Sequence, residues 1–317
     1  MRPGSRIEGP LEKLAVAPGE PARYRLALRD EPVADRGGAE SAASPRGGLE
    51  LNPLLGRALS IEFLGRISCA ECGTVTAKSY GRGYCYPCFR ALARCDLCVV
   101  SPARCHFHLG TCREPAWGEA FCMQPHQVYL ANSSGPKVGI TTARGEITRW
   151  LDQGASQGLV IADAPTRHLA GVLEKELTGA VSDRTDWRAL LRGPAAPVDL
   201  PALRDRLRAW LRDRGAPLPD GVVWRDSGRV VSLDYPVLDY PRQLRRLRLD
   251  RHRRIAGTLV GVKGQYLLFE HGVFSVGGHR AFHVRVALQP AGALPRVEPA
   301  PAPTDDPIDD SQLELFS

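Results

Sequence analysis

Residues 126–155 read HQVYLANSSGPKVGITTARGEITRWLDQGA, and they decide the fold of the centre of the chain. Two short apolar runs, one around Tyr129 and one at 137–141, flank the turn-forming sequence NSSG. Two strand-like runs joined by a glycine-containing loop predict a β-hairpin. The residues that follow predict an amphipathic helix carrying Arg149 and then a second helix carrying Glu174. The stretch therefore predicts a small α+β unit.

These residues resemble the motifs of the GIY-YIG endonuclease superfamily over residues 127–191. Tyr129 stands where the first strand of that superfamily has its tyrosine. Gly139 keeps the glycine of the second strand, whereas Lys137 occupies the region where a second tyrosine is usual. Arg149 matches the arginine of the next helix, and Glu174 matches the metal-binding glutamate. The motifs that carry the resemblance are VYL (128–130), KVGIT (137–141), ITRW (147–150) and VLEKEL (172–177).

The resemblance implies metal-dependent cleavage of phosphodiester bonds by Tyr129, Lys137, Arg149 and Glu174. The glutamate would hold Mg²⁺ or Mn²⁺, with Glu176 as the second choice for that ligand. The arginine would donate two hydrogen bonds to the developing negative charge. The tyrosine would position the attacking water, or accept its proton if the tyrosine pKa is lowered, and Lys137 would supply that lowering.

All nine cysteines lie between residues 66 and 126. The N-terminus has no apolar signal-peptide core, so we expect a cytoplasmic protein whose cysteines are metal ligands or reactive thiols rather than disulfides. Cys69-x2-Cys72 and Cys85-x2-Cys88 each present two thiolates on one turn, and together they predict a closed structural zinc site. A redox dithiol pair and an iron–sulfur site are the alternatives for these four residues.

A second set of soft ligands follows and predicts a second structural zinc. We assign this zinc to Cys95, Cys98, Cys105 and Cys112, of which the first two form another x2 pair. Other ways to close the site use residues nearby, and part of the set could instead be small buried hydrophobes. These other candidates are His106, His108, Cys122 and His126.

The net charge of +7 is unevenly distributed along the chain. From Gln289 onward one arginine faces six acidic residues, so the remaining body carries +12. A basic body predicts a polyanionic partner, with DNA as the first choice. Residues 242–254 include seven arginines, and we assign phosphate contacts to Arg245, Arg246 and Arg248. A solvated arginine-rich surface is the alternative.

The chain from Gln289 onward is rich in proline, alanine and aspartate, which predicts a disordered acidic tail. It ends in QLELFS (312–317), which resembles the motif by which bacterial replication and repair proteins dock on the DNA sliding clamp. The resemblance assigns clamp contacts to Gln312, Leu313, Leu315 and Phe316, with the last two as apolar anchors. A chance apolar end is the alternative.

The sequence as a whole predicts an α+β protein with five successive regions. These are a β segment with a disordered insert (1–64), a zinc-binding cysteine-rich region (65–126), a GIY-YIG-like nuclease domain with a small mixed sheet and flanking helices (127–195), a domain with one helix and a β-rich part (196–288), and the tail (289–317). The last β-rich part is expected to complete a small barrel or sheet with the N-terminal strands. No apolar run is long enough to span a membrane, so no membrane partner is expected.

The expected function is that of a metal-dependent DNA endonuclease, or a nuclease-like DNA repair factor, tethered to the sliding clamp. The alternative is a non-catalytic, zinc-containing nucleic-acid-binding module or replisome adaptor. The whole chain also resembles a bacterial family of unknown function with a cysteine-rich front, and that resemblance implies no activity.

Overall fold

The computed structural model describes residues 6–29, 48–242 and 244–289, together with the backbone of a strand at 296–299. The strands are β1 (Arg6–Pro10), β2 (Ala15–Ala17), β3 (Arg23–Ala27), β4 (Gly48–Glu50), β5 (Ala58–Ser68), β6 (Val75–Thr76), β7 (His126–Asn132), β8 (Pro136–Thr142), β9 (Gln157–Ala164), β10 (Val223–Trp224), β11 (Val231–Ser232), β12 (Arg246–Leu247), β13 (His252–Lys263), β14 (Tyr266–Phe269), β15 (Gly272–Ser275), β16 (Phe282–Leu288) and β17 (Arg296–Pro299). The helices are α1 (Tyr86–Ala91), α2 (Leu97–Val100), α3 (Pro115–Cys122), α4 (Glu146–Asp152), α5 (Arg167–Leu177), α6 (Trp187–Arg192) and α7 (Leu200–Asp213).

The described chain divides into two compact units, and the fold is mixed α+β with several sheets, as the sequence predicts. The first unit contains the residues up to Phe89 and those from Tyr235 onward. The second unit contains the intervening residues, Arg90–Asp234. Among the described residues, no helix combines the length and apolar character needed to cross a membrane.

The first unit is built on a sheet with the strand order β1-β16-β5-β13-β14-β15-β12. Ile61 of β5 is paired with Ile255 of β13 on one side and with Val286 of β16 on the other. All three side chains are buried, so strands from the beginning and the end of the chain share one apolar core. The expected sheet between the N-terminal and C-terminal strands is confirmed.

β17 corrects one expectation, because it lies in the segment predicted to be a disordered tail. Its residues pair with β13 at 252–256, while β5 pairs with β13 at 254–258. Residues 254–256 of β13 pair with both strands. Because a strand has only two hydrogen-bonding edges, β17 lies on the edge of β13 opposite β5. The tail prediction is therefore wrong for these four residues.

The second unit is built on a sheet in which β7 lies between β8 and β9. Val128 and Leu130 point to one face, where the buried leucines of α5 and α7 cover them. Tyr129 and Ala131 point to the other face, against Trp150 of α4. This alternation follows from the two-residue period of a strand. Asp199 caps the N-terminus of α7, because its side chain accepts a hydrogen bond from the Ala202 N–H.

The region boundaries differ from the sequence prediction at two places. The cysteine-rich region is divided between the units after Phe89. The helix α7 and the strands β10 and β11 belong to the second unit, because Leu207 and Leu211 share a core with Leu173, and both strands pair with β9.

The central sheet is also less mixed than expected. Its strand pairs are antiparallel, and an isolated bridge between Lys137 and Ser182 is parallel.

Candidate functional site

The hairpin of β7 and β8 places Tyr129 directly opposite Gly139. A Cβ atom built on Gly139 would lie 2.5 Å from the Tyr129 hydroxyl oxygen and 2.6 Å from Cζ. Because real Cβ atoms do not approach other heavy atoms so closely, the tyrosine ring occupies space that any larger residue at 139 would fill. Gly139 is therefore required for the Tyr129 ring to occupy its observed position.

We predict that Gly139→Ala destabilises the second unit by about 1–3 kcal/mol, because the buried Tyr129 ring must shift. Urea unfolding followed by tryptophan fluorescence would measure this change. Gly193→Ala is the control, since a Cβ at Gly193 meets no atom within 4 Å. Equal stability losses in the two variants would contradict the steric explanation.

The Gln153 side chain connects Tyr129 to Arg149. With its amide oxygen turned toward Arg149, Gln153 accepts hydrogen bonds from Nε and Nη2, both at 3.0 Å, and its nitrogen donates to the Tyr129 hydroxyl at 3.1 Å. Tyr129 is fully buried and packs edge-on against Trp150, with ring centroids 5.8 Å apart. The buried strand thus fixes the orientation of the guanidinium on α4.

Lys137, on the other strand of the hairpin, is also buried, at 2% exposure. Its Nζ donates a hydrogen bond to Thr185 Oγ1 at 3.0 Å. Burial lowers the pKa of Lys137 to about 8, and the nearby Arg149 guanidinium acts in the same direction. The carboxylates of Glu174 and Asp183 oppose this shift. Lys137 therefore lies in the electrostatic neighbourhood of both Arg149 and Glu174.

Glu174 belongs to α5 and is partly buried. Burial raises the pKa of Glu174 to about 7, and Asp183 adds to this effect. Arg167, Arg149 and Lys137 act in the opposite direction, because each favours the ionised carboxylate. Three cations thus act electrostatically on one carboxylate.

The structure brings the four sequence-predicted residues Tyr129, Lys137, Arg149 and Glu174 into one cluster, which we call the hairpin cluster. The expected lowering of the Tyr129 pKa is wrong. Burial raises the pKa of Tyr129, although Arg149 and the Gln153 hydrogen bond act against it. A hydroxyl with a raised pKa stays protonated near neutral pH, so it cannot accept a proton from water. The expected activation of Tyr129 by Lys137 therefore fails.

Sequence reasoning missed two members of this neighbourhood, Gln153 and Arg167. Gln153 lies four residues after Arg149, a spacing at which side chains on a helix meet, so the signal was present. Arg167 lies seven residues before Glu174 on α5, two turns away on the same side. Burial lowers the pKa of Arg167, while Cys122 and Glu174 oppose the shift.

Cys69, Cys72, Cys85 and Cys88 form a cluster in the first unit. Their sulfur atoms all lie within 4.8 Å of one another, and Sγ of Cys72 is 3.7 Å from Sγ of Cys85. Four thiolates around a tetrahedral zinc, with Zn–S bonds of about 2.3 Å, would place sulfur atoms roughly 3.8 Å apart. These four cysteines therefore fit the predicted ligand set and could hold a structural zinc.

The second set of cysteines surrounds a small cavity of about 10 Å³ in the second unit. Its lining includes Cys98, Cys105 and Cys112, as predicted, and also Cys122. Cys95, the fourth predicted ligand, is buried but is not among the lining residues. Asp96 and His106 lie at the same cavity, and each offers a ligand atom within 4.8 Å of the Cys98 sulfur.

The three arginines predicted to contact phosphate have different surroundings in the first unit. Arg245 is exposed, whereas Arg246 and Arg248 line a cavity described below. Arg248 uses its guanidinium in two hydrogen bonds with Asp250, at 2.9 and 2.6 Å. The predicted clamp-binding residues, Gln312, Leu313, Leu315 and Phe316, lie outside the described residues.

Comparison with known proteins gives one match. A family model described as "Protein of unknown function (DUF2797)" matches residues 56–284, which is more than half of the chain. No curated protein and no solved structure matches the chain.

Proposed function

We propose that this chain, which belongs to that family of unknown function, is a metal-dependent DNA endonuclease that uses the hairpin cluster. The observation that carries the proposal is the convergence of Arg149 and Glu174, from different helices, next to a buried lysine on the hairpin. Clustered ionisable groups with strongly shifted pKa values are typical of catalytic sites. The basic body of the chain supports a polyanionic substrate.

The reaction adds water across one phosphodiester bond. The water oxygen bonds to phosphorus, the bond from phosphorus to one sugar oxygen breaks, and a water proton ends on the released oxygen. A divalent cation such as Mg²⁺ or Mn²⁺, held by Glu174, would polarise the phosphate. Arg149 donates hydrogen bonds to the phosphate oxygens, and Lys137 adds positive charge nearby.

Tyr129 is a positioning residue in this proposal rather than a proton acceptor. Its hydroxyl contacts Gln153, and Gln153 in turn holds the Arg149 guanidinium. A planar guanidinium gives two parallel hydrogen bonds only when its plane is fixed, so the buried tyrosine orients the phosphate contact.

A cleavage assay with purified, zinc-loaded protein tests the function. Branched, flapped and nicked DNA would be incubated with Mg²⁺ or Mn²⁺, and the products separated on a denaturing gel. The proposal requires cleavage of at least one substrate. Binding to these substrates with no cleavage under any condition would instead support the non-catalytic binding module.

The proposal includes zinc as the structural metal in the first unit and a second zinc in the cysteine-lined cavity of the second unit. The donor set of Cys98, Cys105, Cys112 and Cys122 supports the second site, because soft thiolates around an atom-sized space suit zinc. Such a metal would fix the chain around α2 and α3, where short helices provide little core.

We predict that Cys122→Ser lowers the zinc content from two to one per chain, because it removes a ligand of the second site. Metal analysis of the purified protein by mass spectrometry measures this directly. Cys95→Ser is the matched control and should keep both metals. Loss of zinc in Cys95→Ser but not in Cys122→Ser would restore the ligand set inferred from sequence alone.

The clamp-binding sequence remains part of the proposal on the basis of its residues. Replacing Leu315 and Phe316 by alanine should weaken binding to a bacterial sliding clamp by at least about 100-fold, since two apolar anchors are each worth roughly 1.5–3 kcal/mol. Surface plasmon resonance would measure the affinity, with Glu314→Gln as the control from the same segment. Unchanged affinity of the double variant would remove the tether from the proposal.

A further inference from the structure

A cavity of about 380 Å³ lies in the first unit, and its lining contains no residue of the hairpin cluster. One wall is the segment 76–82, which lies between the two pairs of the first cysteine cluster. Other walls come from β5, β12, β14 and β16. Its volume falls near the lower end of the range for small-molecule sites, about 300–1,000 Å³. The cavity is therefore large enough for one small ligand.

Three aromatic side chains line the cavity, from three different strands. Phe63 and Phe282 pack against each other, with ring centroids 5.2 Å apart, and Tyr266 lies in the same lining. Phe63 and Tyr266 are only partly buried, so their rings present apolar surface to the cavity. Flat aromatic ligands stack on such surfaces.

Cationic side chains share this lining with the aromatic rings. They are Lys78, Arg82, Arg246 and Arg248, against the single carboxylate of Asp250. Asp250 forms its hydrogen bonds with Arg248, so the lining carries a net positive charge. Arg82 and Arg246 both lie close enough to Tyr266 to oppose the rise in its pKa that burial causes. Two guanidinium groups therefore act electrostatically on the Tyr266 hydroxyl.

Arg82 also has an unusual backbone conformation, with φ of 62°. Few residues other than glycine adopt this left-handed region, and such strained positions cluster at ligand sites. The segment that carries Arg82 is bounded by Cys72 and Cys85, whose thiols belong to the first cluster. Metal binding there would fix the cavity wall.

We propose that this cavity binds one nucleotide unit, with its base against the aromatic rings and its phosphate on the cationic side chains. Aromatic stacking together with charge-assisted hydrogen bonds is the chemistry that recognises a phosphorylated base. The nucleotide is either free or the phosphorylated end of a DNA strand, and both present the same groups. The cavity lining shares no residue with the set assigned to cleavage.

Isothermal titration calorimetry tests this site with the zinc-loaded full chain carrying Glu174→Gln and without added Mg²⁺, so that DNA is not cut. The ligands are AMP, adenosine, inorganic phosphate, and a DNA oligonucleotide with either a 5′-phosphate or a 5′-hydroxyl. AMP should bind at least about 10-fold more tightly than adenosine or phosphate, because only AMP offers both groups. Tighter binding of the 5′-phosphorylated strand than of both AMP and the 5′-hydroxyl strand would identify a strand end as the source. Equal affinity would identify the free nucleotide.

Variants of the lining establish that the binding is at this cavity. Arg246→Gln and Lys78→Gln should each weaken AMP binding by about 10-fold, since each removes one charged phosphate contact. Arg23→Ala, an exposed arginine of the same unit outside the lining, should bind normally. Unfolding midpoints of all variants would exclude misfolding as the cause. Absence of AMP and strand binding up to about 1 mM, equal affinity for phosphate and AMP, or normal affinity in both lining variants would each overturn the proposal.

Discussion

Glu174→Gln is expected to reduce the rate of DNA cleavage by about 1,000-fold or more while the protein remains folded. The substitution keeps the size of the side chain but removes the charge that would hold the divalent cation. Losing the cation removes several kcal/mol of transition-state stabilisation, and each 1.4 kcal/mol lowers the rate about tenfold. Single-turnover cleavage of a labelled DNA substrate would measure the rate, and circular dichroism would check the fold.

Glu176→Gln is the matched comparison, on the same helix and two residues further along. Glu176 is exposed, whereas Glu174 is partly buried among cations, so this variant should cleave within about twofold of the unmodified chain. A Glu174→Gln protein that cleaves at the normal rate would show that the hairpin cluster is not the active site. Loss of activity only in Glu176→Gln would transfer the ligand role to that residue.

Arg149→Lys tests the second member of the same site. Lysine keeps the positive charge but cannot give two parallel hydrogen bonds, and it cannot replace both contacts with Gln153. The expected loss in rate is about 100-fold. A rate near that of the unmodified chain would mean that only the charge matters at this position.

Cys69→Ser is expected to remove one zinc per chain and to destabilise the first unit by several kcal/mol. In small zinc-binding peptides the metal contributes about 10–16 kcal/mol, and this binding free energy is also folding free energy. Loss of the Cys69 thiolate leaves three ligands for the zinc. Because Cys69 is fully buried, water does not easily reach the position of the fourth ligand. Zinc content and the urea midpoint would be measured on the same preparation.

Cys95→Ser is the control for this prediction, because it makes the same chemical change at another buried thiol. It should retain its zinc and most of its stability. If Cys69→Ser keeps a full zinc content and an unchanged midpoint, the first cysteine cluster is not a metal site.

Local patterns in the sequence predicted the parts of the structure that depend on near neighbours. The hairpin and the helix that carries Arg149 both follow from residues a few positions apart. The four cysteines of the first cluster follow from two x2 spacings, because each pair lies on one turn. The convergence of Arg149 and Glu174 came from a resemblance of ordered motifs rather than from any local pattern.

Properties set by distant parts of the chain could not be predicted in the same way. The burial of Tyr129 depends on Trp150 and on the sheet around it, so its raised pKa had no local signal. The position of Cys122, rather than Cys95, at the second cavity depends on how α3 packs, which cysteine spacing does not determine. The division into units depends on pairing between β5 and β13, which are far apart in sequence.

The discontinuous first unit has a consequence for how the protein is made. The chain leaves this unit after Phe89 and returns to it at Tyr235, so β5 is synthesised long before its partners β13 and β16. At about 5–20 residues per second, a ribosome needs roughly 10–40 s to bridge that interval. During this time β5 lacks strand partners along both edges, except at its end, which pairs with β6. Early capture of a metal by the first cysteine cluster would order the adjacent segment, while the second unit, whose sequence is continuous, can complete its own core first.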